Sequence, residues 1–323
     1  MKTTIKYDPM RGFSLLGLVL VAAATTSGCS EKESPATNKA DSSDSNALPS
    51  VYVVNYPLRY FAEQIGGPEV RVSFLAPADG DPAFWKPAPE QVAAYQTADL
   101  ILLNGASYAK WVPKVSLPAS RMVDTSASFA DRYIDLEGEV THSHGPEGEH
   151  QHGTVAFTTW LDMTLALEQA RAVKDAFAKR WPEHKTRFEE RFRRMEQDLR
   201  ALDAAIEAIV AAVPDRLVVF SHPVYQYFER RYGAKGKSVH WEPDQMPDEA
   251  MWTDFEQFLS KHPTTWMLWE GEPDPKIVAK LKEFGVESVV VDPCGNVPDE
   301  GDFLSVMHQN VAALRKVYAT KDP

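Results

Sequence analysis

Two residues able to ligate a metal stand at the ends of apolar runs in this chain. His222 follows the run 217–220, and Asp292 follows 289–291. An imidazole nitrogen and a carboxylate oxygen are donors that zinc accepts at about 2.0–2.2 Å. The same pair could also serve acid–base or hydrolytic chemistry. Glu270, closing the run 266–269, could complete such a site or accept backbone N–H groups from a loop, and His240 is a further imidazole in the same half of the chain. A second group lies in residues 141–153, where His142, His144, His150 and His152 stand among Gly, Glu and Ser with no apolar residue between them. Four of the chain's nine histidines in one polar tract have the composition of a metal-capture loop. Cys294 could ligate a soft metal as thiolate, although a single cysteine more often fills apolar space. His184, His262 and His308 fall on helices or at helix ends and read as solvated.

The elements that must position these residues follow from the apolar pattern. Four short runs, 51–54, 100–103, 217–220 and 289–291, are each followed by a polar residue and alternate with helical stretches. Such runs read as buried parallel strands, and open α/β sheets bind ligands beyond the carboxyl ends of their strands. Residues 50–182 form one α/β lobe that includes the 141–153 loop, and residues 214–323 form a second. Between them, Phe188, Phe192, Met195, Leu199, Leu202, Ile206 and Ile209 recur at three- and four-residue steps. That stripe predicts a helix over 183–213, long enough at 1.5 Å per residue to join two lobes. The fold class is α/β, with two Rossmann-like lobes of mainly parallel sheets joined by a bridging α-helix.

The amino-terminal residues indicate export. Lys2, Lys6 and Arg11 precede a short apolar stretch, and Thr26-Ser27-Gly28-Cys29 follows it. This pattern reads as a secretory signal over 1–28 with a lipobox-like end, so lipidation is expected at Cys29 despite Thr26 in place of a branched apolar residue. Residues 29–49 are polar and read as a disordered tether. The net charge of −12 argues against nucleic acid as a partner. No nucleophile elbow, His-Glu-x-x-His helix or phosphate-cradling glycine loop is present, so the chain is not read as an enzyme.

Several phrases carry a resemblance: residues 54–58 (Val-Asn-Tyr-Pro-Leu), 98–105 (Ala-Asp-Leu-Ile-Leu-Leu-Asn-Gly), 221–228 (Ser-His-Pro-Val-Tyr-Gln-Tyr-Phe) with Tyr232-Gly233, and 291–295 (Val-Asp-Pro-Cys-Gly). With the lipobox, tether, His-rich loop and bridging helix, the chain resembles the zinc/manganese solute-binding proteins of ABC transporters over nearly all of its mature length. The resemblance implies a monomeric, lipid-anchored protein in the periplasm or on the cell surface that hands a metal ion to a membrane permease. Family members hold the ion with two first-lobe histidines, then a histidine or glutamate and an aspartate from the second lobe. His222 matches the third ligand and Asp292 the fourth, whereas Ala83 and Thr158 stand where the two first-lobe histidines are expected. The His-rich loop favours zinc over manganese. Three readings follow: a cleft metal site completed by other residues, a cleft for an organic solute walled by Trp85, Trp160, Trp241 and Trp269, or a metal-buffering or assembly lipoprotein that uses the loop over a vestigial cleft.

Overall fold

The computed structural model of the chain describes residues 47–319, except 137–140, 144–148 and 152–154, with only the backbone described at 141–143 and 149–151. The signal segment, Cys29, His144 and His152 therefore lie outside the described residues. Two parallel sheets of four strands each organise what is described. In the first lobe, β1 (Ser50–Val53), β2 (Arg71–Phe74), β3 (Leu100–Leu103) and β4 (Met122–Asp124) lie in the order β2-β1-β3-β4. Two further strands, β5 (Thr141–Ser143) and β6 (Glu149–Gln151), make an antiparallel hairpin that sets His142 opposite His150. In the second lobe, β7 (Leu217–Phe220), β8 (Lys235–Ser238), β9 (Trp266–Trp269) and β10 (Glu287–Val290) lie in the order β10-β9-β7-β8. The near-continuous apolar runs of β1, β3, β7 and β9 follow from burial on both faces, as parallel sheets require.

Helices cover these sheets. α1 (Tyr56–Gly66) starts at Asn55, whose side chain accepts the Leu58 N–H at 3.2 Å, with Pro57 in the first turn, where its missing N–H costs nothing. The remaining helices are α2 (Pro89–Thr97), α3 (Met163–Arg180), α4 (Lys185–Ala211), α5 (Gln226–Tyr232), α6 (Glu249–Lys261), α7 (Pro275–Glu283) and α8 (Phe303–Val317). The predicted bridge is α4, preceded by a 3-10 turn at Pro182–His184, and at 27 residues it is roughly 40 Å long. Its apolar stripe is buried from Phe188 to Val210, packing on α1 and α3 at one end and on α5 and α8 at the other. Polar contacts fix both ends. Buried Glu69 receives Arg187 at 2.8 Å and Arg191 at 2.6 Å, and Asp203 receives Arg231 at 2.9 and 2.5 Å. No helix among the described residues is long and apolar enough to cross a membrane.

Candidate metal site

β7 places the key imidazole. Its apolar run is buried, and chain reversal after it puts Ser221 and His222 at the carboxyl end of the sheet. Ser221 then organises its neighbours. Its carbonyl accepts the Trp241 N–H at 2.9 Å, and its hydroxyl accepts the Glu270 N–H at 3.3 Å. Beside it, the Phe220 ring lies where a side chain on Gly236 would be, 2.1 Å from an added Cβ, so only glycine lets β8 pair this closely with β7. Trp241 is sunk against Trp252 and Phe255, with ring centroids 4.7 and 4.8 Å away. That anchor fixes the segment carrying His240 on one side and Glu242 on the other.

Around His222 these constraints bring two carboxylates together. Its Nδ1 lies 3.6 Å from Oε1 of Glu242 and 3.5 Å from Oε1 of Glu270. Donor atoms of the three residues all fall within 4.8 Å of one another. A tetrahedral ion with bonds of about 2.1 Å has donor–donor edges of roughly 3.4 Å, close to both separations. His222 is 4% exposed, which shields the group from bulk water. Glu270 keeps 24% of its side-chain surface open yet sits deep among protein atoms. Burial foremost, then the charges of Glu242, Asp81 and Asp292, pushes its carboxyl up to about 8. Negative charge crowded into a poorly solvated place is the electrostatic condition that a divalent cation relieves.

The expected residues divide. His222 and Glu270 belong to the group, the Glu270 carboxylate lying beside the imidazole. His240 lies beside it, its ring 5.7 Å from that of His222 and nearly perpendicular. Asp292 stands outside. Its Oδ1 accepts the Cys294 N–H at 2.6 Å, its N–H donates to Asn310, and burial raises its carboxyl. Cys294 is buried with φ +56°, and burial raises its thiol well above the ordinary range, which disfavours the thiolate that ligation needs. Ala83 is fully buried, and Thr158 donates its hydroxyl to the Val224 carbonyl at 2.5 Å. Of the hairpin histidines, His142 and His150 are placed by backbone register alone.

Two expectations need correction. Trp160, Trp241 and Trp269 are at most 4% exposed, so they are core and cannot wall an organic solute. Trp160 instead donates its indole N–H to the Pro293 carbonyl at 2.7 Å. His262 is buried rather than solvated, with Nε2 3.2 Å from the Val218 carbonyl. Sequence reasoning missed Glu242, because β8 reads Lys-Gly-Lys-Ser and gives no apolar run to announce a strand end. The available signal was positional: β8 is a fourth strand, and Glu242 follows it as His222 follows β7.

Two parallel α/β lobes joined by a long helix, with imidazole and carboxylates gathered at the strand ends, define a two-lobe protein with a candidate metal site. The family model described as the zinc-uptake complex component A, periplasmic, matches residues 51–317, and the chain belongs to that family. The chain is similar to the high-affinity zinc uptake system protein ZnuA of Bacillus subtilis (strain 168), 26% identical over 278 residues that cover 80% of this chain and 84% of that protein. It is 23% identical over 315 residues to the metal ABC transporter substrate-binding lipoprotein SsaB of Streptococcus sanguinis, covering 94% and 97%. The Zn(II)-bound ZnuA-like domain of Streptococcus pneumoniae AdcA shares the fold at a TM-score of 0.72 and 21% identity, over 84% of this chain and 99% of that one.

Proposed function

We propose that the chain captures a divalent metal ion, zinc before manganese, on His222, Glu242 and Glu270 and hands it to a membrane ABC permease. The observation that carries this reading is the convergence of the three donor atoms within 4.8 Å. The mixed nitrogen and oxygen donor set suits zinc. The named functions of ZnuA and SsaB supply the transport context. On this reading the protein is exported, held at the membrane through lipidated Cys29, and acts as a monomer that binds without catalysing a reaction. Asp292 acts on the group through its charge, and His240 stands beside the donors. The hairpin that sets His142 opposite His150 supports a second, weaker role in collecting zinc before it enters the cleft.

Calorimetric zinc titration of metal-free protein, with residues 141–153 replaced by a glycine-serine linker, tests the proposal. One tight equivalent, abolished by His222→Ala, is expected. Absence of binding without the hairpin, together with weak multi-site binding when it is present, would contradict the cleft site and leave the metal-buffering alternative.

A further inference from the structure

We propose that the end of the first lobe where the chain enters the fold docks on anionic phospholipid headgroups, so that the anchored protein stands with its cleft held off the bilayer. This rests on lipidation of Cys29 in the reading above and not on the metal site.

The chain enters at the amino ends of the first sheet. The Pro49 carbonyl accepts the Arg71 N–H at 2.8 Å, and Ser50 donates both its N–H and its hydroxyl to Asp99 at 2.8 Å. Parallel strands start side by side, so the residues leading into β2, β3 and β4 share this face. Arg121, just ahead of β4, donates to the Ala98 carbonyl at 2.8 Å. α3 ends at the same corner. The Phe177 ring lies 3.1 Å from where a Cβ on Gly66 would be, and the charges of Arg180 and Arg121 both act on Asp99. α4 then begins there, with Arg187 and Arg191 reaching back to Glu69, two residues before Arg71.

The charge of this face runs against that of the molecule. In a chain of net charge −12, residues 171–194 carry nine lysines and arginines against four aspartates and glutamates. Around the entry point Arg71, Lys179, Arg180, Lys185 and Arg187 are exposed. Glu69 is spent on its two arginines and Asp99 on Ser50. Glu183, Glu189 and Glu190 temper the patch without reversing it. Leu48, 50% exposed, stands at the entry point, an apolar side chain that can dip into a headgroup layer.

Position selects the partner. Clusters of four to eight lysines and arginines beside a membrane attachment bind anionic lipid, each strengthening the contact about fivefold. Cys29 lies 18 residues before Ala47, so an anchor there keeps this face within about 60 Å of the bilayer. A short tether raises the effective concentration of the surface it serves, so contacts that are weak singly suffice together. α4 starts at this face and leads away towards the second lobe. Docking here therefore lifts His222 clear of the lipid and leaves the cleft open to the surrounding medium for loading.

The test uses the anchored protein as the cell processes it, reconstituted in vesicles of phosphatidylcholine alone or in equal parts with phosphatidylglycerol. Amine acetylation read by mass spectrometry compares Lys179 and Lys185 with Lys261 and Lys276 of the second lobe in the same sample. Phosphatidylglycerol is expected to slow labelling of Lys179 and Lys185 about fivefold relative to the second-lobe pair, and high salt should restore it. Arg71→Gln with Arg180→Gln should remove most of that protection, whereas Lys282→Gln with Lys316→Gln, the same charge change on the second lobe, should leave it. Equal labelling in the two lipids, protection spread evenly over both lobes, or protection that R71Q/R180Q leaves unchanged overturns the docking face. Protein that stays with neither kind of vesicle removes the anchor and this face with it, while zinc titration reads the metal site independently.

Discussion

The carboxyl ends of the two sheets are built on the same plan and filled with opposite chemistry. In the first lobe, Asn55, Asn104 and Thr125 follow β1, β3 and β4, all at most 1% exposed. They are neutral and saturate one another. Asn55 donates to Oδ1 of Asn104 at 3.0 Å, and Asn104 donates to the Phe157 carbonyl at 3.0 Å. Gln169 donates to Oδ1 of Asn104 at 3.1 Å and to the Thr125 hydroxyl at 3.2 Å. A fully satisfied buried network rigidifies a core and has no capacity left for a ligand. In the second lobe His222, Glu242, Glu270 and Asp292 follow β7, β8, β9 and β10, and three of them crowd donor atoms together at an electrostatic cost. Parallel sheets present strand ends in either case. On the proposed reading, what separates scaffold from site is whether the groups there complete one another or leave donor atoms for an ion.

Substitutions should separate the two lobes. His222→Ala should produce the largest effect, weakening zinc by more than the roughly 10–100-fold that loss of a supporting residue costs metal sites. Its melting temperature without metal should change little by comparison, and calorimetry with a thermal scan reads both. The mirror case is Asn104→Ala, which leaves Asn55, Gln169 and the Phe157 carbonyl short of partners. It should lower stability by about 2–3 kcal/mol in denaturant titration while zinc affinity in the folded fraction stays put. If zinc affinity fell as far as with H222A, the first lobe would be part of the site and the contrast would fail.

A pH measurement sharpens the scaffold side. Hydrogen bonds from Arg191 and Arg187 outweigh burial and hold the Glu69 carboxyl down at about 2 against an ordinary 4.5. A depressed carboxyl stabilises the fold above its unfolded value, and that contribution disappears as pH falls from about 4.5 towards 2. Glu69→Gln should cost about 2 kcal/mol at neutral pH and flatten the acid limb of the stability curve, with zinc affinity unchanged. The smallest effect is expected at the seam between the lobes. Nδ2 of Asn296 reaches the carbonyls of Pro77, Ala78 and Gly80 at 2.8, 3.2 and 2.7 Å. Asn296→Ala should lower stability by about 1 kcal/mol, because these carbonyls remain open to water.

The architecture was readable because burial on both faces writes parallel strands as bare apolar runs and α4 as a continuous stripe. β4 and β8 carry no such run, because each lies at a sheet edge where the pattern is weak. His222 was legible from its strand and Glu270 from the end of β9. Glu242 was hidden behind the polar β8, and its approach to His222 depends on the Ser221 and Trp241 contacts, which are tertiary. Asp292 lies outside the three-residue group, with its Oδ1 taken by the Cys294 N–H and its backbone held by Asn310, contacts that no sequence pattern announces. The tryptophans near the strand ends misled for a related reason: sequence proximity to a cleft does not tell which face of the sheet a ring occupies.

The central claim is that second-lobe side chains hold the ion. Anomalous diffraction at the zinc edge from crystals of the zinc-loaded full chain tests it most directly. The account predicts one strong peak within bonding distance of Nδ1 of His222 and of a carboxylate oxygen from each of Glu242 and Glu270. A peak on the imidazoles of the 141–153 hairpin, with none beside His222, would contradict it.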